Sequence, residues 1–343
     1  MRILVIGGTQ FIGRHVVATA LAAGDQVTLF HRGRTNPGIF PEAEHRIGDR
    51  DGDLSALTSG EWDATIDTSA YVPRQVRTLA QRLGKRGGHY VYISSFSAYA
   101  RPTGPGGNED LPLAQLDDPT TERVDAESYG GLKALCEQTC GDAFGESVSV
   151  VRPTYVAGPQ DHTYRFTYWV ERLAGGGRVL APGPADNPFQ MIDVRDLASF
   201  IVLLAREATV GAFHTVNPAP PFSFGDFLAT AAGLVAPAGT ELVWAEAGWL
   251  ESEGLTESEL PLWAATDPDR DVSALDPARA VAAGLRARPL SATITELHAH
   301  ELNAPTACPS STGLDPAREE ELLTKWQVAV RQRPVEEAEQ EAT

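Results

Sequence analysis

Lysine is nearly absent from this chain. Lys85, Lys133 and Lys325 are the only three in 343 residues, and arginine supplies the rest of the 28 basic side chains. Set against 46 acidic ones they leave a formal charge of −18, a field that repels phosphate backbones and anionic lipid and argues against general nucleic-acid or membrane-surface binding. Cysteine is scarce as well. Cys136, Cys140 and Cys308 are too few for a disulfide framework, and the first two cannot alone complete a four-ligand zinc site. The histidines show no ligand spacing, so no metal is expected, and a reducing compartment is. Long apolar runs are missing too. The longest, Leu197–Ala205, is far too short to span a bilayer, and a strand-like run already begins at Ile3, which leaves no room for a signal peptide. The expected location is cytoplasmic.

What is present alternates. Through the first 200 or so residues, apolar strand-like runs (Ile3–Ile6, Val27–Phe30, Ala64–Thr68, His89–Ser94, Val148–Arg152) are separated by helix-like periods, the pattern of βαβ units feeding a parallel sheet. One helix is expected at Phe11–Ala23, closed by Gly24, and another from Ser128 through Lys133 towards Cys140, closed by Gly141. Residues 101–125 read as an irregular loop, and Gly158–Pro188 as a second, loop-rich span that carries Tyr164, Arg165, Phe166, Tyr168 and Trp169. The fold class that follows is α/β, a Rossmann-type doubly wound parallel sheet over 1–217, with a loop insertion at about 159–190 and a smaller C-terminal substrate lobe over 218–312. In the closing segment 313–343, Leu322, Leu323, Trp326 and Val330 fall at helical spacing for docking on the body, and the acidic end is expected to be mobile.

Between the first strand and the first helix lies Gly7-Gly8-Thr9-Gln10-Phe11-Ile12-Gly13. Backbone N–H groups and the positive end of a helix there would face a dinucleotide's diphosphate. At the end of the second strand a carboxylate would bind a ribose 2′-hydroxyl. This chain instead carries His31-Arg32-Gly33-Arg34, guanidiniums suited to a 2′-phosphate, so NADP is favoured over NAD. Asp49 and Arg50 would border the adenine.

Tyr129 and Lys133 stand four apart on one expected helix, one turn from each other on the same face. With eight tyrosines and three lysines, about 0.07 such pairs are expected by chance. A phenol titrating near 10 is a poor base at neutral pH, and an ammonium beside it favours its ionised form. Upstream, Tyr90-Val91-Tyr92-Ile93-Ser94-Ser95 ends a strand in hydroxyls. Ser95 could hydrogen-bond a substrate oxygen, and Ser94 is the competing assignment.

Gly7 to Gly13, Ser95 and Tyr129-x-x-x-Lys133, in that order, resemble the short-chain dehydrogenase/reductase superfamily in its extended branch, which includes nucleotide-sugar epimerases and dehydratases. Arg152-Pro153 leading to Gly158-Pro159, the run Ile192–Ala198, and Asp276–Arg279 before Gly284-Leu285 extend the likeness over about residues 1–300. The resemblance implies that Tyr129 is the catalytic acid/base, that Lys133 binds the nicotinamide ribose and tunes the phenol, and that Ser95 completes the set. It implies that Thr68, Ser69 and Ala70 line the cofactor, that Pro153 approaches the nicotinamide, and that Tyr71, Phe96 and Gln190 contact substrate. His162, Arg165, Trp169 and Arg178 sit where such enzymes build their substrate pocket, and related enzymes dimerise through the helix of the tyrosine–lysine pair.

Three departures qualify the likeness. Gln10 replaces the fingerprint's middle glycine, as in an atypical subgroup that includes chloroplast RNA-binding relatives. Phe96 and Ser97 replace the Asp-Glu pair of sugar 4,6-dehydratases, which disfavours dehydration. Phe189 and Gln190 stand where epimerases place a diphosphate-gripping arginine, which argues against a nucleotide-sugar substrate. The expectation is an NAD(P)-dependent oxidoreductase or epimerase acting on a small polar molecule, with a non-catalytic NADP-sensing or RNA-binding protein as the alternative.

Overall fold

The computed structural model describes residues 1–100, 106–218, 222–263 and 275–332; the acidic C-terminal end and residues 101–105 of the first loop lie outside them. The chain divides into two compact units, one comprising Met1–Gln160, Phe189–Pro221 and Pro268–Pro289, the other Asp161–Pro188, Phe222–Asp267 and Leu290–Thr343.

In the first unit the expected doubly wound sheet forms. Strands β1 (Arg2–Ile6), β2 (Gln26–His31), β3 (Glu44–Ile47), β4 (Ala64–Asp67), β5 (His89–Ile93) and β6 (Val148–Pro153) are joined by a seventh, Gly211–Thr215. Their order across the sheet is Gly211–Thr215, β6, β5, β4, β1, β2, β3, and every pair is parallel. A sheet covered on both faces needs apolar residues in both directions, which is why β1 reads as an unbroken apolar run. Ile3 and Val5 pack with Val16, Val17 and Ala20 of α1 (Phe11–Ala22) and with Leu197 and Ile201 of helix Val194–Glu207. Leu4 and Ile6 turn the other way, onto Val76, Leu79 and Leu83 of α2 (Pro73–Leu83) and Cys136 and Cys140 of α3 (Tyr129–Phe144). The strand order reverses between β1 and β4, and in such sheets the crevice beyond the carboxyl ends at that point takes the ligand.

Two expectations need correction. Helix α3 does not stop at Gly141 but continues to Phe144, with Gly145 at φ +62° as its stop. Phe144 holds the extra turn by stacking on Tyr90 of β5, ring centroids 4.0 Å apart. The span Gly158–Pro188 is not all loop. Phe166, Trp169, Val170 and Leu173 are buried at helical spacing and make Arg165–Ala174 a helix, with a strand, Arg178–Pro182, after it.

The second unit is built around aromatics. Phe166 stacks on Phe227 at 4.4 Å, and the indole N–H of Trp169 donates to the Pro261 carbonyl. Helix Pro316–Arg331 buries Leu322, Leu323 and Trp326, whereas Val330, expected on the same stripe, is 48% exposed. Trp326 Nε1 donates to the Trp244 carbonyl at 2.9 Å, and Glu319, 4% exposed, accepts from Arg172 Nε at 2.7 Å and from the Leu180 amide at 3.0 Å. Among the described residues no helix is long and apolar enough to cross a membrane.

Glu319 is therefore a clamp for its helix. Glu319→Ala leaves a partly buried guanidinium unpaired and a buried amide unsatisfied, at a cost of about 3 kcal/mol or more. Urea unfolding of the purified variant should show it as a lowered midpoint with an unchanged slope; a loss below about 0.5 kcal/mol would contradict the clamp.

Candidate active site

The strand-to-helix turn after β1 holds two glycines in left-handed backbone, Gly7 at φ +100° and Gly8 at φ +87°. A Cβ on Gly7 would lie 2.6 Å from Thr68 Oγ1, and one on Gly13 would lie 2.8 Å from the Gly8 backbone. The turn thus brings β1, the end of β4 and the first turn of α1 closer than side chains allow. Gln10 caps α1 at φ −141° with no side-chain hydrogen bond and is exposed. Because its backbone is extended there, a glutamine serves where related fingerprints carry glycine, and the N–H groups of the α1 terminus stay available to an anion. Thr9 is buried and its carbonyl accepts from Asn36 Nδ2 at 3.0 Å; Phe11 is buried and Ile12 half-buried behind it. The residues present fit a dinucleotide's diphosphate.

At the end of β2, Arg32 and Arg34 are exposed. His31 is buried, and both of its ring nitrogens are used internally, Nδ1 by the Gly33 amide at 3.0 Å and Nε2 by His45 at 2.8 Å. Arg50 likewise turns inward. Its guanidinium meets Asp67 at 2.7 and 2.8 Å and Ser69 Oγ at 2.9 Å, while its Nε is buried without a partner. Tyr90 donates to the same Asp67 at 2.6 Å. Burial works against the Asp67 charge, but the Arg50 charge together with the hydrogen bonds from Arg50, Tyr90 and the Ser69 amide outweighs it and holds the carboxyl below the usual range. Asp49 is half-buried and accepts from the Asp51 amide at 3.1 Å. Thr68 Oγ1 donates to the Ile6 carbonyl at 2.9 Å.

Lys133 is 4% exposed. Its Nζ donates to the carbonyls of Ala70 at 3.0 Å and Ile93 at 2.8 Å and lies 4.9 Å from the ring centres of both Tyr71 and Tyr92. Burial brings its pKa down to about 8. One turn earlier, Tyr129 is half-buried, its ring centre 6.0 Å from Lys133 Nζ and 6.4 Å from Tyr71, itself 43% exposed. The two serines part ways. Ser94 Oγ donates to the Glu137 carboxylate, whereas Ser95 caps the short turn Phe96–Ala98 by accepting from the Ser97 amide at 3.1 Å. That turn packs on the start of α3, where a Cβ on Gly130 would collide with the Ser97 carbonyl.

Sequence reasoning missed the support beneath this pair. Glu137, a further turn along the same face of α3, is held by Arg152 of β6 at 3.0 Å and 2.6 Å. Arg152 also donates to Tyr99 Oη and to the Glu109 carbonyl, and Tyr99 is bonded to His214. The four-residue step from Tyr129 to Lys133, carried once more, points to Glu137; nothing in the sequence signals Tyr99 or His214.

Of the other expected site residues in this unit, Pro153 ends β6 and Phe96 lies 5.8 Å from the Tyr155 ring. Gln190 spends its amide on the backbone of Leu275, at 2.9 and 3.0 Å. His162, Arg165, Trp169 and Arg178 belong to the second unit. There His162 and Arg165 are exposed and Arg178 half-buried, but Trp169 is 0% exposed and is core. Among the described residues no group of three histidine, cysteine or acidic side chains is placed to hold a metal.

Residues 55–217 match the sequence model of the NAD dependent epimerase/dehydratase family. The chloroplast stem-loop binding protein of 41 kDa b of Arabidopsis thaliana is 28% identical over 223 residues, covering 60% of this chain and 56% of that protein, so the chain spans about half the length of that relative. Solved structures share the fold. UDP-N-acetylglucosamine 4-epimerase from Bacillus cereus superposes with a TM-score of 0.66 at 17% identity, covering 91% of this chain and 99% of that one. The Bordetella bronchiseptica enzyme WbmG, in complex with NAD, gives 0.68 at 18% identity, covering 90% and 96%. The chain thus shares the fold of these epimerases, and a segment just short of half its length matches the NAD dependent epimerase/dehydratase family.

Proposed function

We propose that this protein is an NADP-preferring oxidoreductase or epimerase that works at a carbinol or carbonyl carbon of a small polar substrate. The observation that carries the reading is the Lys133 ammonium, buried at 4% exposure on two backbone carbonyls, one helical turn from the half-open Tyr129 phenol. A charge is rarely kept in so dry a place without a task.

The α1 terminus with Gly7, Thr9, Gln10 and Gly13 would hold the diphosphate, and Arg32 with Arg34 the 2′-phosphate. Thr68, Ser69 and Ala70 would line the ribose side. The nicotinamide, when bound, supplies a carbon that gives or takes a hydride. Tyr129 exchanges the proton of the substrate's oxygen, donating it in a reduction and accepting it in an oxidation. Lys133 stabilises negative charge on the Tyr129 oxygen, and two of its three N–H bonds are already engaged, which leaves one for a ribose hydroxyl. Ser95 would hold the same substrate oxygen against Tyr129. A stoichiometric change in NADPH absorbance on adding substrate identifies a reductase, and turnover without net change identifies an epimerase. The Arabidopsis relative's name speaks of stem-loop binding, so RNA binding is the second reading; against it stands the charge of −18. A gel shift at physiological salt decides it, with tight, salt-sensitive binding moving the assignment to RNA.

Two outcomes test the enzymatic reading. Tyr129→Phe removes only the proton carrier, so turnover should fall by about 10²–10⁴-fold while the cofactor dissociation constant, read by fluorescence titration, moves less than about threefold; activity near wild type would defeat the assignment. The second outcome concerns pH. Burial lowers the Lys133 pKa to about 8, so the ammonium is intact below that value and is lost as pH rises through it. The pH profile of kcat/KM, which reports the free enzyme, should bend downward near pH 8, and a profile flat from 7 to 9 would show that Lys133 keeps its proton or is not needed.

A further inference from the structure

Both ends of the segment bearing Arg32 and Arg34 are tied down, and one tie is a chain of hydrogen bonds through two imidazoles, His31 buried and His45 half-buried. The Gly33 amide can only donate, so His31 Nδ1 accepts it at 3.0 Å. A neutral His31 then carries its proton on Nε2 and gives it to His45 Nδ1 at 2.8 Å. His45 Nε2 in turn donates to the Phe40 carbonyl at 3.1 Å. Every ring nitrogen is used once, and all the bonds run in one direction. Gly33 stands between the two arginines in left-handed backbone, φ +70°, so the His31 bond sets the turn from which both guanidiniums project. At the far end Asn36 Nδ2 donates to the Thr9 carbonyl, in the diphosphate turn itself. Neither arginine has a partner of its own among the described residues, and their placement comes from this backbone alone.

We propose that the His31–His45 pair determines specificity for the phosphorylated dinucleotide by fixing the turn that carries Arg32 and Arg34 against the 2′-phosphate, without touching the ligand itself. This rests on the NADP reading above and adds to it. A 2′-phosphate requires two flexible, hydrated cations to converge, and a turn fixed beforehand spares part of the ordering cost on binding.

The readout is the ratio of dissociation constants for NADH and NADPH, measured by titration on the full chain at constant ionic strength. The double variant Arg32→Ala/Arg34→Ala should lower that ratio tenfold or more. His31→Leu fills the buried site but cannot accept the Gly33 amide, and should lower the ratio at least fivefold. His31→Asn, whose Oδ1 can take the place of Nδ1, should keep it within twofold of wild type. A purely structural His31 would weaken both nucleotides together and leave the ratio unmoved in His31→Leu. If the arginine variant lowers the ratio and His31→Leu does not, the positioning role is overturned while the NADP reading stands. If the arginine variant leaves the ratio unchanged, both fall. Should His31→Leu not fold, an Asn variant that loses the discrimination also overturns the role.

Discussion

A single ammonium taken out of water organises the centre of the first unit. Desolvating a lysine is costly enough that its proton is readily lost unless neighbouring groups compensate. Here the compensation comes from the ends of two adjacent strands, because Ala70 follows β4 and Ile93 closes β5, and from the faces of Tyr71 and Tyr92. Those carbonyls are free for Lys133 only where the sheet pairing ends. The position of the charge is therefore a consequence of strand length, and the phenol one turn earlier on α3 takes its place from the same register.

Beneath it the Glu137–Arg152 pair locks α3 to β6. A buried ion pair adds little net stability over apolar residues of equal volume, yet loss of one partner is severe, so its main consequence is geometric. Glu137 accepts from Ser94 of the β5 end and from Arg152, and Arg152 continues to Tyr99 and Glu109. Helix α3, which bears Tyr129 and Lys133, is thus tied to both strands beside it. Ser94 is consumed in that tie, which leaves Ser95, one residue on and facing differently along the extended chain, as the hydroxyl of the pair nearer the turn that meets α3.

Much of this was legible beforehand, for physical reasons. A parallel sheet with both faces covered writes its strands as apolar runs, and a diphosphate turn writes its glycines where backbones approach within a Cβ of each other. Tyr129 and Lys133 are local in sequence, so their spacing announced them. Helix Arg165–Ala174 was obscured because Gly158-Pro159 before it and the glycines at 175–177 after it dominate the composition, although Phe166, Trp169, Val170 and Leu173 carry its period. Arg50 and His31 show the opposite limit. Each looked like a ligand group beyond a strand end, and each is claimed from elsewhere in the sheet: Arg50, after β3, by Asp67 of β4, with β1 and β2 between, and His31 of β2 by His45 of the adjacent β3. Pairing of that kind depends on register across a sheet, which no local pattern encodes, and β3, a four-residue edge strand with polar residues, gives almost no signal of its own.

The distribution of charge then explains why specificity must be local. A chain at −18 repels any anionic dinucleotide at a distance, and the more heavily charged phosphorylated form more than the plain one. At physiological salt that repulsion is screened over about 8 Å, so it affects encounter more than the bound state. On the proposed reading two sets of nearby donors would count within the crevice: the amides at the α1 terminus, which would serve both dinucleotides alike, and the two guanidiniums at the end of β2, which would reach only the extra phosphate. Discrimination between the two forms would then be confined to a segment of a few residues whose backbone is tied by His31 at one end and Asn36 at the other. The rest of the acidic surface bears on solubility and on which partners are turned away.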